Sequence, residues 1–338
     1  MRYWLFLVTF LAACGSDEAG TPTCPDGEIY NPITGVCEPG RTQNPTPDAS
    51  VPDMTVGADM SSPDAGADVE VDASVEPDVT CQKDADQDGH IAMECGGDDC
   101  DDNNAARSPS QTEICDEIDN NCNDIVNDGI TCEFYAHSDT KLYRLDPFKK
   151  TLVEVADLPG LFDIDTHPDG TLYGLSPEYL YRFNPQTNTW SNLPQGLGAD
   201  VGNANGMAID SEGKVYITSE NKLYGADLTT GVAQFKGNMG GFYQSSGDCV
   251  VTKQDVLYMT SSHTPTDSLV FVDGLNAQTT QVGVTGVDSI WGLTAAWGRL
   301  WGVTADGDLV EINQNTGAAR RVHTFAASFY GAASTPER

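Results

Sequence analysis

"TLYGLSPEYLYRFNP", residues 171–185, contains two short strand-like runs, each rich in Leu, Tyr or Phe, on either side of a tight turn. The second run recurs along the chain. "KLYRLDP" (141–147), "YLYRFNP" (179–185), "KLYGADL" (222–228), "LVFVDGL" (269–275) and "LVEINQN" (309–315) place Leu142, Leu180, Leu223, Leu269 and Leu309 at intervals of 38–46 residues. The first run recurs with it, as "EFYAHSD" (133–139), "TLYGLSP" (171–177), "KVYITSE" (214–220), "VLYMTSS" (256–262) and "RLWGVTA" (299–305). Upstream of four of these pairs lie further apolar stretches, "LFDIDTHPDG", "GMAIDSEG", "GDCVVTKQD" and "SIWGLTAAWG". Shorter stretches such as "TLVEVADLP" and "TWSNLP" follow. Four short strands per unit, joined by Gly, Asn and Asp turns at a fixed period, predict an all-β fold built as β-propeller blades.

Five second strands and five third strands are visible, but only four innermost strands precede them. The missing one is expected at the other end of the repeat region. "SFYGAAS" (328–334) has the residue types of "SIWGLTA" (289–295). Pairing it with the first unit would close a five-bladed β-propeller over residues 133–338 and remove the open edge of an unclosed ring. A β-sandwich, the other all-β architecture, does not require such a period.

The rest of the chain is of a different kind. The protein has 338 residues and a formal net charge of −34. Residues 1–132 carry 28 acidic against 4 basic side chains, and residues 133–338 carry 23 against 13. Such a surface repels nucleic acid and anionic headgroups and attracts divalent cations. Residues 40–80 are rich in Pro, Asp, Ala and Ser, with no aromatic residue and no apolar period. They cannot bury enough surface to offset their ordering entropy, so a disordered acidic linker is expected there.

At the start, Met1-Arg2 precedes the apolar stretch "YWLFLVTFLA", which is too short to span a bilayer as a mature helix. It ends in "LAAC". Those residues resemble a bacterial lipobox. The resemblance implies a signal peptide over 1–13, cleavage before Cys14 and lipidation of Cys14. Gly15 follows the cysteine, which by the same resemblance favours lipid anchoring in the outer membrane and display at the cell surface. Export makes the other cysteines readable as disulfide candidates. Cys24 and Cys37 bracket a small loop within residues 14–39. Cys81, Cys95, Cys100, Cys115, Cys122 and Cys132 fall in one module, residues 81–132, whose pairing the sequence leaves open. Cys249 sits in the apolar "CVVT" and reads as a buried thiol.

Within that module, "DADQDGHIAMECGGDDCDDNN" (84–104) places seven aspartates in twenty-one residues. Asp84, Asp86 and Asp88 alternate and Gly89 follows, which is the first half of a calcium loop. Alternate carboxylates can converge on one ion, and the glycine lets the chain turn around it. The next oxygen is expected from the backbone of His90. The twelfth position is Cys95 rather than an acid, so this is not an EF-hand. The closing carboxylates must come from Asp98, Asp99, Asp101 or Asp102. A second cluster has Asp119, Asn121, Asn123 and Asp128.

The two clusters with their interleaved cysteines resemble the MopE-type metal-binding motif of large acidic secreted proteins. Glu117 and Asn123-Asp124 depart from it where that family has Gly and Asp-Gly. The family's name implies copper as an alternative metal. The residues favour Ca2+, because carboxylates and amides are hard oxygen ligands while copper prefers imidazole, thiolate or thioether.

In the propeller, aligning the units places Asp163, Gly206, Asp248, Trp291 and Tyr330 at one position, with Asn205 beside Gly206. A ligand rim of Asp163, Asn205, Asp248, Trp291 and Tyr330 is therefore expected at the channel mouth, facing an extracellular protein, peptide or glycan. "ANGMAIDSEGKVYITS" (204–219) also resembles calcium-dependent lactonase and NHL-type propellers, which implies an alternative: a lactonase or esterase with Ca2+ held by Asp163, Asn205 and Asp248. No G-x-S-x-G or H-E-x-x-H is present, so a binding module ranks above an enzyme, and the membrane enters only through the lipid anchor.

Overall fold

A computed structural model describes residues 84–198, 201–240, 243–262 and 266–338, together with the backbone of two short strands, β1 (Glu28–Asn31) and β2 (Val36–Pro39). These two pair as an antiparallel hairpin. The side chains of Cys14, Cys24, Cys37 and Cys81 and the linker 40–80 lie outside the described residues.

Residues 134–333 form five four-stranded antiparallel sheets. Blade 2 is β6 (Asp163–Thr166), β7 (Leu172–Leu175), β8 (Leu180–Asn184) and β9 (Thr189–Asn192). Blade 3 is β10 (Ala204–Ile209), β11 (Val215–Ser219), β12 (Lys222–Ala226) and β13 (Ala233–Asn238). Blade 4 is β14 (Ser245–Val251), β15 (Leu257–Ser261), β16 (Ser268–Val272) and β17 (Thr279–Val284). Blade 5 is β18 (Ile290–Ala296), β19 (Arg299–Thr304), β20 (Asp308–Ile312) and β21 (Ala319–Thr324). Blade 1 takes β3 (Phe134–His137), β4 (Lys141–Asp146) and β5 (Thr151–Asp157) from its start and β22 (Gly331–Ala333) from far along the chain. β22 lies against β3 with Tyr135 opposite Ala333 and His137 opposite Gly331. The expected five-bladed, strand-closed ring is thus the observed one.

One local device explains the repeat. At the turn from third to fourth strand, an Asx side chain caps the following backbone. Asp146 Oδ1 accepts from the Phe148 and Lys149 amides; Asp227 and Asn313 likewise accept the amides two and three residues on, and Asn184 and Asp273 the amide two residues on. Four residues later the chain turns back through a left-handed residue: Lys150, Asn188, Gly231, Ala277 and Gly317. Short Asx side chains mimic a backbone turn, which is why the period is carried by Asp and Asn.

The core is not a single mass. Each interface between adjacent blades has its own apolar cluster, for example Leu175, Met207 and Ile217 between blades 2 and 3, and Phe134, Leu145, Trp301 and Phe329 between blades 5 and 1. At the centre the inner strands touch through glycine. A Cβ on Gly206 would lie 3.0 Å from Asp248 Cα, one on Gly247 2.9 Å from Trp291 Cα, and one on Gly292 2.7 Å from the Gly331 carbonyl carbon. Real Cβ atoms do not approach backbone so closely, so side chains there would force the blades apart.

Buried aspartates complete these joints. Asp163 Oδ2 accepts from Met207 N (2.5 Å), Asp165 Oδ2 from Ile209 N (2.7 Å), Asp165 Oδ1 from Ser334 N (2.7 Å) and Asp248 Oδ2 from Leu293 N (2.5 Å). Arg338 is 2% exposed and donates to the Thr166 and Ile209 carbonyls, beside Asp165 at 3.7 Å.

Deleting residues 326–338 removes β22, the fully buried Phe329 and the Arg338 contacts together. Loss of the Phe329 ring alone corresponds to about 3–5 kcal/mol. The deletion is expected to unfold the whole propeller in one cooperative transition. Calorimetry showing a folded ring with only a frayed end would contradict this closure.

Candidate metal centre and channel mouth

The acidic module, residues 84–132, has little regular structure among its described residues: a 3-10 turn (Met93–Cys95) and one bridge between Ala92 and Asp99. Disulfides hold it instead. Cys100 pairs with Cys122 and Cys115 with Cys132, and Cys95 is also disulfide-bonded. Cys132 is fully buried immediately before β3. Cys249 is a buried free thiol, as expected.

The first acidic loop closes on itself. Asp84 accepts from the Asp88 and Gly89 amides (3.1 and 2.9 Å), and Asp88 Oδ1 accepts from His90 N (2.9 Å). Gly89 has φ +99°, the sharp turn its position requires. One carboxylate oxygen each from Asp84, Asp86 and Asp88 lies within 4.8 Å of the others. Asp99 lies beyond the 3-10 turn, beside Cys100 and Cys122 rather than within this group. It is 1% exposed, and its charge, with those of Asp88 and Asp84, raises the Asp86 pKa, although burial of Asp86 is the larger cause. Asp86 Oδ2, Asp88 Oδ2 and Asp99 Oδ2 are buried without a hydrogen-bond partner. Carboxylate oxygens buried without a partner are costly unless a cation sits beside them.

The other three candidate closing acids are engaged elsewhere. Asp98 pairs with His90 Nδ1 (2.9 Å), raising the imidazole pKa. Asp101 pairs with Arg107 (3.0 Å), and Asp102 accepts from Ala85 N (3.0 Å). His90 therefore contributes a ring already committed to Asp98.

The second cluster repeats this conformation. Asp119 accepts from the amides of Asn123 and Asp124, four and five residues on, as Asp84 does from Asp88 and Gly89. Asn123 Oδ1 accepts from Ile125 N (2.9 Å), as Asp88 does from His90. Asp124 takes φ +68° where the first loop has Gly89. A short polar side chain tolerates that left-handed geometry, so the missing glycine does not abolish the turn. Asn121 and Asn123 both lie 3.0 Å from Asp128 Oδ1, and Asn121 Oδ1 is buried without a partner.

Several supporting residues carry no ligand signature and were not anticipated. Glu113, 7% exposed, accepts from the amides of Asn120, Asn121 and Asn127, fixing the second loop from inside. Asn127 grips both the amide and the carbonyl of Asp116. Arg107 spans the two loops by bonding Asp101 and the Asp119 carbonyl. A lone Glu two residues before a cysteine gives little warning of such a role.

At the propeller mouth the expected rim divides. Trp291 and Tyr330 stand together at the surface, ring centroids 5.1 Å apart, and Tyr330 is 37% exposed. Asn205 donates to the Ser245 carbonyl (3.2 Å). Asp163 and Asp248, by contrast, are fully buried, and both oxygens of each accept backbone amides. They belong to the joints between inner strands rather than to an open rim. Their alignment with the two aromatic positions is real in register, but tight packing turns the acids inward.

Comparison with known proteins bears on the module most directly. Residues 99–128 match the family model Cu-binding_MopE, described as "Putative metal-binding motif". No curated protein matches the chain. Among solved structures, the chain is similar to hydrazine synthase from Kuenenia stuttgartiensis (14% identity, TM-score 0.36, covering 50% of this chain and 51% of that one). It is also similar to a chain of a nidogen/laminin complex (13% identity, TM-score 0.43, 60% and 97%) and to virginiamycin B lyase from Staphylococcus aureus (10% identity, TM-score 0.36, 58% and 70%). The chain spans about half the length of the hydrazine synthase chain. What the matched region and the fold establish together is a MopE-type metal-binding motif followed by a five-bladed β-propeller.

Proposed function

We propose that the chain is a surface-anchored lipoprotein in which a Ca2+-stabilised acidic module presents a propeller to an extracellular protein, peptide or glycan. The observation that carries the metal reading is the convergence of Asp84, Asp86 and Asp88, with one buried oxygen each of Asp86 and Asp88 lacking a partner. All donors there are hard oxygens, which suits Ca2+. The soft donors that copper prefers are spent or outward among the described residues of the module: its cysteines are in disulfides, His90 is paired with Asp98, and Met93 is 52% exposed. The second loop offers two carboxylates and two amides in the same conformation. It carries less charge than the first and should bind more weakly.

Attachment through Cys14 and an extended linker over 40–80 would hold the folded part away from the outer membrane, with the half-exposed Trp291 and Tyr330 as contact residues for the partner. A hydrolase using Asp163, Asn205 and Asp248 as Ca2+ ligands is supported less well. Both acids are buried, and each of their oxygens already accepts a backbone amide.

Calorimetric titration of the oxidised, full-length protein with Ca2+ should show a tight and a weak phase. Asp86→Ala or Asp88→Ala should remove the tight phase, and Asn123→Ala should weaken only the other. Ca2+ at a hundredfold over its dissociation constant should stabilise the module by about 2.7 kcal/mol. Binding should weaken at acid pH, because protons compete for the raised Asp86 carboxyl. Cu2+ binding in preference to Ca2+ would overturn the assignment.

For the anchor, Cys14→Ala should release the protein from the membrane fraction. Continued sedimentation with membranes would refute lipidation at that residue.

A further inference from the structure

The acidic module is attached to the propeller at the joint where the ring closes, between blades 5 and 1. One attachment is covalent. The Cys115–Cys132 disulfide, with a sequence separation of 17, closes a loop that contains Asp119, Asn121, Asn123 and Asp128. Cys132 is fully buried, and β3 of blade 1 starts two residues later at Phe134.

The other attachment reaches blade 5. Glu117, two residues after Cys115, lies 3.9 Å from Arg299 Nη1 on β19. Arg299 is also paired with Glu311 on β20, at 3.6 Å. Its guanidinium carbon lies 5.6 Å from the ring centroid of Phe148, on the β4–β5 turn of blade 1, and 5.9 Å from that of Trp301 on β19. Phe148 and Trp301 meet edge-on, centroids 6.0 Å apart, and Trp301 shares an apolar cluster with Phe134 and Phe329. Glu117 is one of the two departures from the MopE-type pattern. A glycine at this position has no side chain with which to reach Arg299.

An exposed ion pair between two free side chains contributes little. Here neither partner is free. Arg299 is held by Glu311 and stacked on two rings, and Glu117 projects from a disulfide-closed loop. We propose that residues 115–132 form a clasp across the ring-closing joint, bonded to blade 1 through Cys132 and to blade 5 through Arg299, and that a cation in the second acidic loop tightens it. The clasp stands on these contacts alone, whereas the cation's part rests on the metal reading of that loop. All four of its candidate ligands lie between the two cysteines. Drawing them onto one ion orders the segment that carries Glu117, so less freedom is lost when Glu117 meets Arg299. By reciprocity, a closed ring raises the cation affinity of the loop.

Native-state hydrogen exchange on the oxidised, full-length protein tests this, because it reads the opening of each ladder separately. The β22–β3 ladder reports the closing joint, and the β11–β12 ladder of blade 3 is the reference. With Ca2+ present, Glu117→Gln should speed β22–β3 exchange roughly two- to fivefold and leave the reference unmoved. Glu212→Gln, which removes an exposed pair with Lys214 on blade 3, should leave β22–β3 exchange unchanged. Replacing Cys115 and Cys132 together by serine should speed it more than about tenfold. Glu117→Gln decides the matter even if that double variant does not fold. Unchanged β22–β3 exchange in Glu117→Gln, or an equal change in both ladders, would overturn the clasp. For the cation, chelator-stripped wild type should exchange faster at β22–β3 than the Ca2+-loaded protein, and Asn123→Ala should shrink that difference. Calorimetric binding in the second loop with no effect on β22–β3 exchange would refute the cation's part. If calorimetry finds no cation bound, the metal reading and the cation's part fall together, and Glu117→Gln still decides the clasp.

Discussion

The close approach of five inner strands is the constraint on which the propeller rests. Gly206, Gly247, Gly292 and Gly331 each face backbone or a buried side chain of a neighbouring strand at a distance that leaves no room for a Cβ. Because the strands meet so tightly, their outer neighbours can fan apart and leave five wedge-shaped spaces, which the apolar clusters fill. The same tightness shields the joints from solvent: Asp163 and Asp248 are fully buried. Any polar group there must find its partner in the protein. Asp163, Asp165 and Asp248 do so by accepting amides from the next blade. Apolar packing and buried polar bonding are thus two consequences of one geometry.

The acidic module solves a different problem by different means. It buries few apolar side chains: Ile114 and Ile125 are each 59% exposed. Disulfides, Asx-type hydrogen bonds and the Glu113 hub take the place of a core. Converging carboxylates add repulsion to that frame, which a cation would reverse. The two loops share a conformation but differ in charge, because Asn121 and Asn123 stand where the first loop has Asp86 and Asp88. Geometry and ligand charge are therefore separable within one short segment.

The propeller was legible in the sequence because its signal is local and repeated. An Asp or Asn at a turn, followed four residues later by a left-handed residue, needs only its own neighbours, so each blade prints the pattern afresh. Ring closure was legible for the related reason that one innermost strand was missing and "SFYGAAS" had the right residue types. The first acidic loop was readable from alternation plus Gly89. What stayed hidden depends on contacts between distant residues. Register placed Asp163 and Asp248 with Trp291 and Tyr330, but only packing sends the acids inward and leaves the rings out. The burial of Asp99, while Asp98, Asp101 and Asp102 make other contacts, depends on the 3-10 turn that folds it back against Ile91. Arg338 shows no sequence mark of its burial against β6 and β10.

The pairing of β22 with β3 also sets an order in time. Tyr135 is among the first propeller residues to be made, and its partner Ala333 is among the last. Until residues 331–333 have emerged, β3 has one bare edge and blade 1 lacks its inner strand. Contacts of such long sequence separation form slowly. During synthesis and any passage across a membrane, four blades could therefore be complete while the ring gapes. The nascent chain must be kept from pairing that edge with a neighbour's for as long as its final segment is missing.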